Sequence, residues 1–90
     1  MKQFEFVVQD AMGIHARPAG DLAAAARSFT SHLLLKKEKM EADLKNPLAI
    51  MRLAVKHEEK VTITAAGDDE DQVIEELKDL IVKIGLSKSR

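Results

Sequence analysis

Gly13 Ile14 His15 Ala16 Arg17 Pro18 Ala19 joins two segments of different hydrophobic period. Upstream, Phe4, Phe6 and Val8 alternate with Gln3, Glu5 and Gln9, the pattern of a strand with one buried face. Downstream, Ala19, Leu22, Ala23 and Ala26 recur at helical spacing, and such small residues let a helix lie close against a sheet. Asp10 to Gly13 reads as the turn between them. The heptapeptide is therefore a strand-to-helix junction, with His15 at the helix start and Phe29 following where the helix should have ended.

Working outward, Leu33 and Leu35 alternate with His32, Leu34 and Lys36, and Lys37 Glu38 Lys39 separates that run from a shorter segment over 40–43. This predicts a hairpin, although its turn lacks the glycine that best marks one. Asn46 followed by Pro47 predicts a helix start, because asparagine caps free N–H groups and proline is pre-set for the first turn. Ile50 and Leu53 then face inward and leave Leu48 and Met51 on a different face. Val61, Ile63 and Ala65 alternate with Thr62 and Thr64 in a fourth strand that Gly67 breaks. Val73, Leu77, Leu80 and Ile84, flanked by Ile74 and Ile81, make a helical stripe ending at Gly85. The order βαββαβα predicts an α+β two-layer sandwich, and periodicity alone leaves the strand order open. With no repeat or linker, residues 1–90 read as a single domain.

Ninety residues suffice for one core layer, since a domain of this size buries roughly 60–65% of its unfolded surface. Hydrophobic residues are 46% and charged residues 32%, a globular balance. Fourteen Lys plus Arg oppose fifteen Asp plus Glu, and there is no Tyr or Trp to stack on bases, so nucleic-acid binding is not expected. The lack of cysteine excludes disulfides and thiolate chemistry. His15, His32 and His57 lack ligand spacing, so neither a metal nor a cofactor is expected, and Asp68 Asp69 Glu70 Asp71 reads as dipole-stabilising charge at the last helix start. Met1 to Val7 does not resemble a signal peptide and no apolar run is long enough for a bilayer, which makes a cytoplasmic location without membrane insertion the expectation.

The chemistry concentrates at His15. A helix start presents unpaired N–H groups and the positive end of the dipole, where a phosphoryl group is well held. Arg17 adds a planar fork of donors suited to phosphate oxygens. A neutral imidazole nitrogen is a competent nucleophile towards phosphorus, and the cationic surroundings favour the neutral ring while stabilising the phosphorylated one. In isolation, His15 to Pro18 would fit a helix-capping surface histidine better than a site. Their context reverses that.

Ile14 His15 Ala16 Arg17 Pro18, followed by Phe29 Thr30 Ser31, Lys45 before Leu48 Ala49 Ile50 Met51, Val61 Thr62 Ile63 Thr64 Ala65 and Gly67 before an amphipathic helix, resembles the HPr family of the bacterial phosphoenolpyruvate-dependent sugar phosphotransferase system over almost the whole chain. The resemblance implies an antiparallel sheet in order 1-4-2-3 covered on one face by three helices. It implies that His15 takes a phosphoryl group on Nδ1 from enzyme I and passes it to IIA domains of sugar transporters, with Arg17 and the backbone N–H groups of Ala16 and Arg17 cradling it. The carrier would act as a monomer and a phosphohistidine intermediate, not as a stand-alone turnover enzyme. Pro47, Leu48 and Met51 would border the site as an apolar docking patch, with Gly20 beside them. Where relatives in low-GC Gram-positive bacteria carry a kinase-phosphorylated regulatory serine, this chain has Asn46, which keeps the cap and lacks the hydroxyl. The family more often has Ser or Thr at Gly20, a polar residue at Met12 and a basic one at Ala24. Those departures keep a second reading open, a regulatory module that docks on a transcriptional regulator or an enzyme without obligatory phosphotransfer.

Overall fold

The computed structural model describes residues 1–88. They are ordered as β1 (Lys2–Val7), α1 (Ala16–Ala26), β2 (His32–Lys37), β3 (Met40–Asp43), α2 (Pro47–Arg52), β4 (Lys60–Ala66) and α3 (Glu70–Lys83). The strands form one antiparallel sheet in the order β1-β4-β2-β3. This is the order the resemblance implied, and it supplies what periodicity could not.

Register places Phe4, Ile63, Leu35 and Ala42 abreast, with Phe6 beside Val61 and Leu33 beside Ala65 on the same face. Successive strand residues alternate faces, so Gln3, Glu5, Thr62, Thr64, Leu34 and Lys36 share the other one. The helices cover the apolar face. α1 buries Ala19, Leu22, Ala23 and Ala26 together with Pro18, and α3 buries Val73, Ile74, Leu77 and Ile81. Leu80 and Ile84, expected in the α3 stripe, are only partly buried at its margin. The stripe runs along the i, i+4 row Val73–Leu77–Ile81, and the residues one step before that row turn toward solvent.

The hairpin differs from the sequence expectation by one residue. Lys37 belongs to β2 and pairs with Met40, which leaves only Glu38 and Lys39 in the turn, Glu38 at φ 54°. The strand continues because the Lys37 ammonium has partners behind the sheet edge. It donates to the carbonyls of Leu53 and Ala54 at 3.2 and 3.1 Å and meets Glu59 at 3.0 Å. A cation is thus seated at the negative end of α2.

Asp69 also differs from expectation. Its carboxylate makes no cap bond to α3 and instead accepts the N–H groups of Thr30 and Ser31 at 2.8 and 3.0 Å and the Ser31 hydroxyl. These bonds, the Ser31 hydroxyl first, hold its carboxyl below the usual range. The acidic run therefore ties the α1–β2 connection to α3 rather than only facing a dipole.

Candidate active site

The segment carrying His15 is fixed from both ends. The Gln9 N–H donates to the Leu86 carbonyl at 2.7 Å, and Ile14 donates to the Val55 carbonyl at 3.0 Å. Gly13 sits at φ +68°, and a Cβ there would lie 2.1 Å from the Val55 oxygen, so no side chain fits. Between these anchors Asp10 closes a turn, its Oδ1 accepting the Met12 N–H at 2.8 Å while the Asp10 carbonyl accepts from Gly13.

His15 is the N-cap residue of α1, in extended conformation, and its ring makes no capping bond. Its Nε2 lies 3.2 Å from Asp10 Oδ2. The first turn behind it is Ala16, Arg17 and Pro18; Pro18 has no N–H, and the Ala19 N–H is bonded to the His15 carbonyl at 3.1 Å. Ala16 and Arg17 therefore carry the open N–H groups of this turn, without a hydrogen-bond partner among the described residues. The helix has no acidic residue in its first turn. No first-turn carboxylate competes for those two N–H groups.

His15, Arg17 and Pro18 line a hollow of about 340 Å³ together with Asp10 and Asp21, and Lys83 and Ile84 close it from the end of α3. Arg17 is exposed and forms no hydrogen bond or ion pair among the described residues, which leaves its guanidinium available. Asp10 and His15 are about one-quarter to one-third exposed, so the ring is reachable from solvent. The Asp10 carboxyl is held below its usual value, first by the Met12 amide and next by the His15 ring. Such a hollow can accept a dianionic group on the imidazole and neutralise it with Arg17, Lys83 and two backbone N–H groups.

A sequence profile described as the PTS HPr component phosphorylation site matches residues 2–83. The chain belongs to the HPr family. It is 42% identical over 88 residues to phosphocarrier protein HPr of Lysinibacillus sphaericus, covering 98% of this chain and 100% of that one. Phosphocarrier protein HPr of Mycoplasma genitalium is 38% identical over 84 residues, 92% of this chain and 96% of the relative. The solved structure of a Mycoplasma histidine-containing phosphocarrier protein matches with a TM-score of 0.95 at 32% identity, covering 98% of this chain and all of that one. This HPr-family chain is a phosphocarrier of the phosphotransferase system.

The proposed docking positions fall on α1 and α2 of this HPr fold. Asn46 caps α2, its Oδ1 accepting from Leu48 and Ala49 at 3.0 and 3.2 Å. Leu48 is 59% exposed, Pro47 is half-buried, and Met51 is half-buried with part of its side chain against the core. Gly20 is exposed on α1, and a Cβ there would touch nothing within 4 Å, so no neighbour demands glycine. His32 and His57 are exposed and lie outside the hollow, and no group of three or more metal-ligating side chains assembles among the described residues. Sequence reasoning missed Asp10 and Lys83. An Asp three residues before Gly13 signalled a side-chain-closed turn, whereas nothing in the pattern signalled that the end of α3 returns to His15.

Proposed function

We propose that His15 is the phosphoryl-carrying residue, receiving the group from enzyme I and delivering it to the IIA domains of sugar transporters. One observation supports this most: among the described residues, the α1 start leaves its N–H groups at Ala16 and Arg17 unpartnered around an uncapped histidine, with the Arg17 side chain also unengaged. The α3 start also lacks a side-chain cap, but Glu70 and Asp71 put negative charge in its first turn, whereas the first turn of α1 has no acidic residue and leaves its positive end open to an anion. The phosphoryl group is cargo, and its passage between side chains calls for no cofactor.

Leu48 with Pro47, and exposed Met12 on the His15 loop, supply the apolar surface that enzyme I and IIA domains would cover, and the open backbone at Gly20 permits close approach. Met51 serves this patch with only its exposed part. Asn46, without a hydroxyl, makes the chain blind to a kinase that regulates relatives through a serine at this position. No helix among the described residues is long and apolar enough to cross a membrane, and the reading places the carrier in the cytoplasm as a single-domain monomer. Nothing favours a docking-only regulatory role.

Incubation with enzyme I and phosphoenolpyruvate tests the assignment by intact mass. One phosphoryl group, stable in base and lost in acid, is expected on the wild type and none on His15→Ala. Full labelling of that variant would refute it.

A further inference from the structure

The His15 nitrogen that faces Asp10 is Nε2, and Asp10 uses its two oxygens differently. Oδ1 accepts the Met12 N–H at 2.8 Å, which fixes the carboxylate within the turn, and Oδ2 lies 3.2 Å from Nε2. An ionised carboxylate can only accept hydrogen bonds, and the Met12 and His15 contacts both favour ionisation. Nε2 must then carry the hydrogen. A neutral imidazole has a single N–H, so Nδ1 is left with its lone pair.

Resting on the assignment of His15 as phosphoryl carrier, we propose that Asp10 is a positioning residue that holds His15 as the Nε2–H tautomer and thereby presents Nδ1 to the phosphoryl donor. The same contact serves the transfer step. Nδ1 forms its bond to phosphorus with its own lone pair, while the bond between phosphorus and the donor atom breaks and leaves its electron pair on the donor. No proton moves from Nε2 in this step, so the ring gains positive charge, and the Asp10 carboxylate already stands against it. On the reverse transfer the ring returns to the neutral Nε2–H form. Asp10 never touches phosphorus; it acts through the ring, as a carboxylate does when it orients a histidine in a hydrolytic triad.

The decisive variant is Asp10→Asn. Its one amide oxygen can keep the Met12 bond, which turns the NH2 group toward Nε2 and favours the Nδ1–H tautomer, removing the lone pair where it is needed. Nitrogen-15 NMR of the imidazoles, in alkaline buffer where the rings are neutral, should show wild-type His15 protonated at Nε2 and the variant shifted toward Nδ1–H. The initial rate of phosphoryl acceptance from enzyme I should fall about 10- to 100-fold, the usual effect of losing a group that orients a histidine, with the backbone amide spectrum outside residues 9–16 unchanged. A wild-type His15 protonated at Nδ1 overturns the proposal by itself, even if the variant does not fold. So does an Asp10→Asn protein with wild-type tautomer and rate. Labelling of His15→Ala would instead refute the carrier assignment, an outcome the tautomer measurement on unphosphorylated protein does not depend on.

Discussion

α1 and α2 both place a proline in their first turn and use that turn in opposite ways. At α2, Asn46 satisfies the N–H groups of Leu48 and Ala49 and Pro47 supplies the pre-set φ, so both devices serve stability. At α1, the cap position holds His15, whose ring turns to Asp10 and leaves Ala16 and Arg17 unpartnered among the described residues. The difference teaches that an unsatisfied helix start is informative only beside a satisfied one. The same chain caps α2 through a side chain and leaves the α1 start both uncapped and without first-turn acidic residues, as the proposed holding of a phosphoryl group there calls for.

The sharpest way to break this comparison is to give α1 the cap that α2 has. His15→Asn should abolish labelling by enzyme I completely while raising stability by about 1 kcal/mol, the usual worth of a cap. A chemical denaturation midpoint that falls would mean the α1 start is not short of a cap. The next largest effect concerns the face of α2. Leu48→Glu places a carboxylate where a partner should press apolar surface, yet in the free protein the side chain stays in water. Transfer from enzyme I should slow about tenfold or more, a loss of at least about 1.4 kcal/mol, while thermal stability moves by no more than about 0.5 kcal/mol. Met51 is a poor choice for this test because it packs partly on the core. A wild-type transfer rate would show that α2 docks nothing.

A third helix start sharpens the contrast in acid. Asp10, Glu59, Asp69 and Glu70 all have carboxyls held below their usual values, by backbone amides at Asp10, Glu59 and Glu70 and by the Ser31 hydroxyl at Asp69. A depressed folded-state pKa contributes stability that is complete above the unfolded value and is lost as pH falls through the folded one. Melting temperature should therefore hold down to about pH 5 and decline below pH 4, and Asp69→Asn should flatten that decline. An equally steep decline in the variant would remove Asp69 from the account. Smaller still, Asn46→Ala should cost about 1 kcal/mol with no change in His15 labelling. Gly20→Ala, where added carbon meets open space, should stabilise by about 0.5–1 kcal/mol. Calorimetry on both variants checks the pair.

Local pattern made most of the fold legible. The alternation of Phe4, Phe6 and Val8, the Asn46–Pro47 start and the long apolar stripe of α3 each state a period that one face must bury. His15 and Arg17 stood out as candidates because an imidazole and a guanidinium at a helix start suit a phosphoryl group, and the structure brings both to one hollow. Three features were not. Lys37 reads as turn because its partners, Leu53, Ala54 and Glu59, come from an element far along the chain. Asp10 reads as turn chemistry, and its second oxygen is informative only when the ring is placed. Lys83 reaches the hollow by virtue of where α3 ends against the sheet, a property of topology that no period encodes.

The two anchors of the His15 loop bear on how the molecule is made. Gln9 hangs from Leu86 and Ile14 from Val55, and β1 pairs with β4 rather than with any strand near it in sequence. A ribosome that has released α1 has already made His15, but it has not made the carbonyls that hold the histidine's loop in place. Those contacts close long stretches of chain and cannot form until the intervening residues exist. A half-synthesised or clipped chain therefore presents the histidine without the loop geometry that the complete fold gives it.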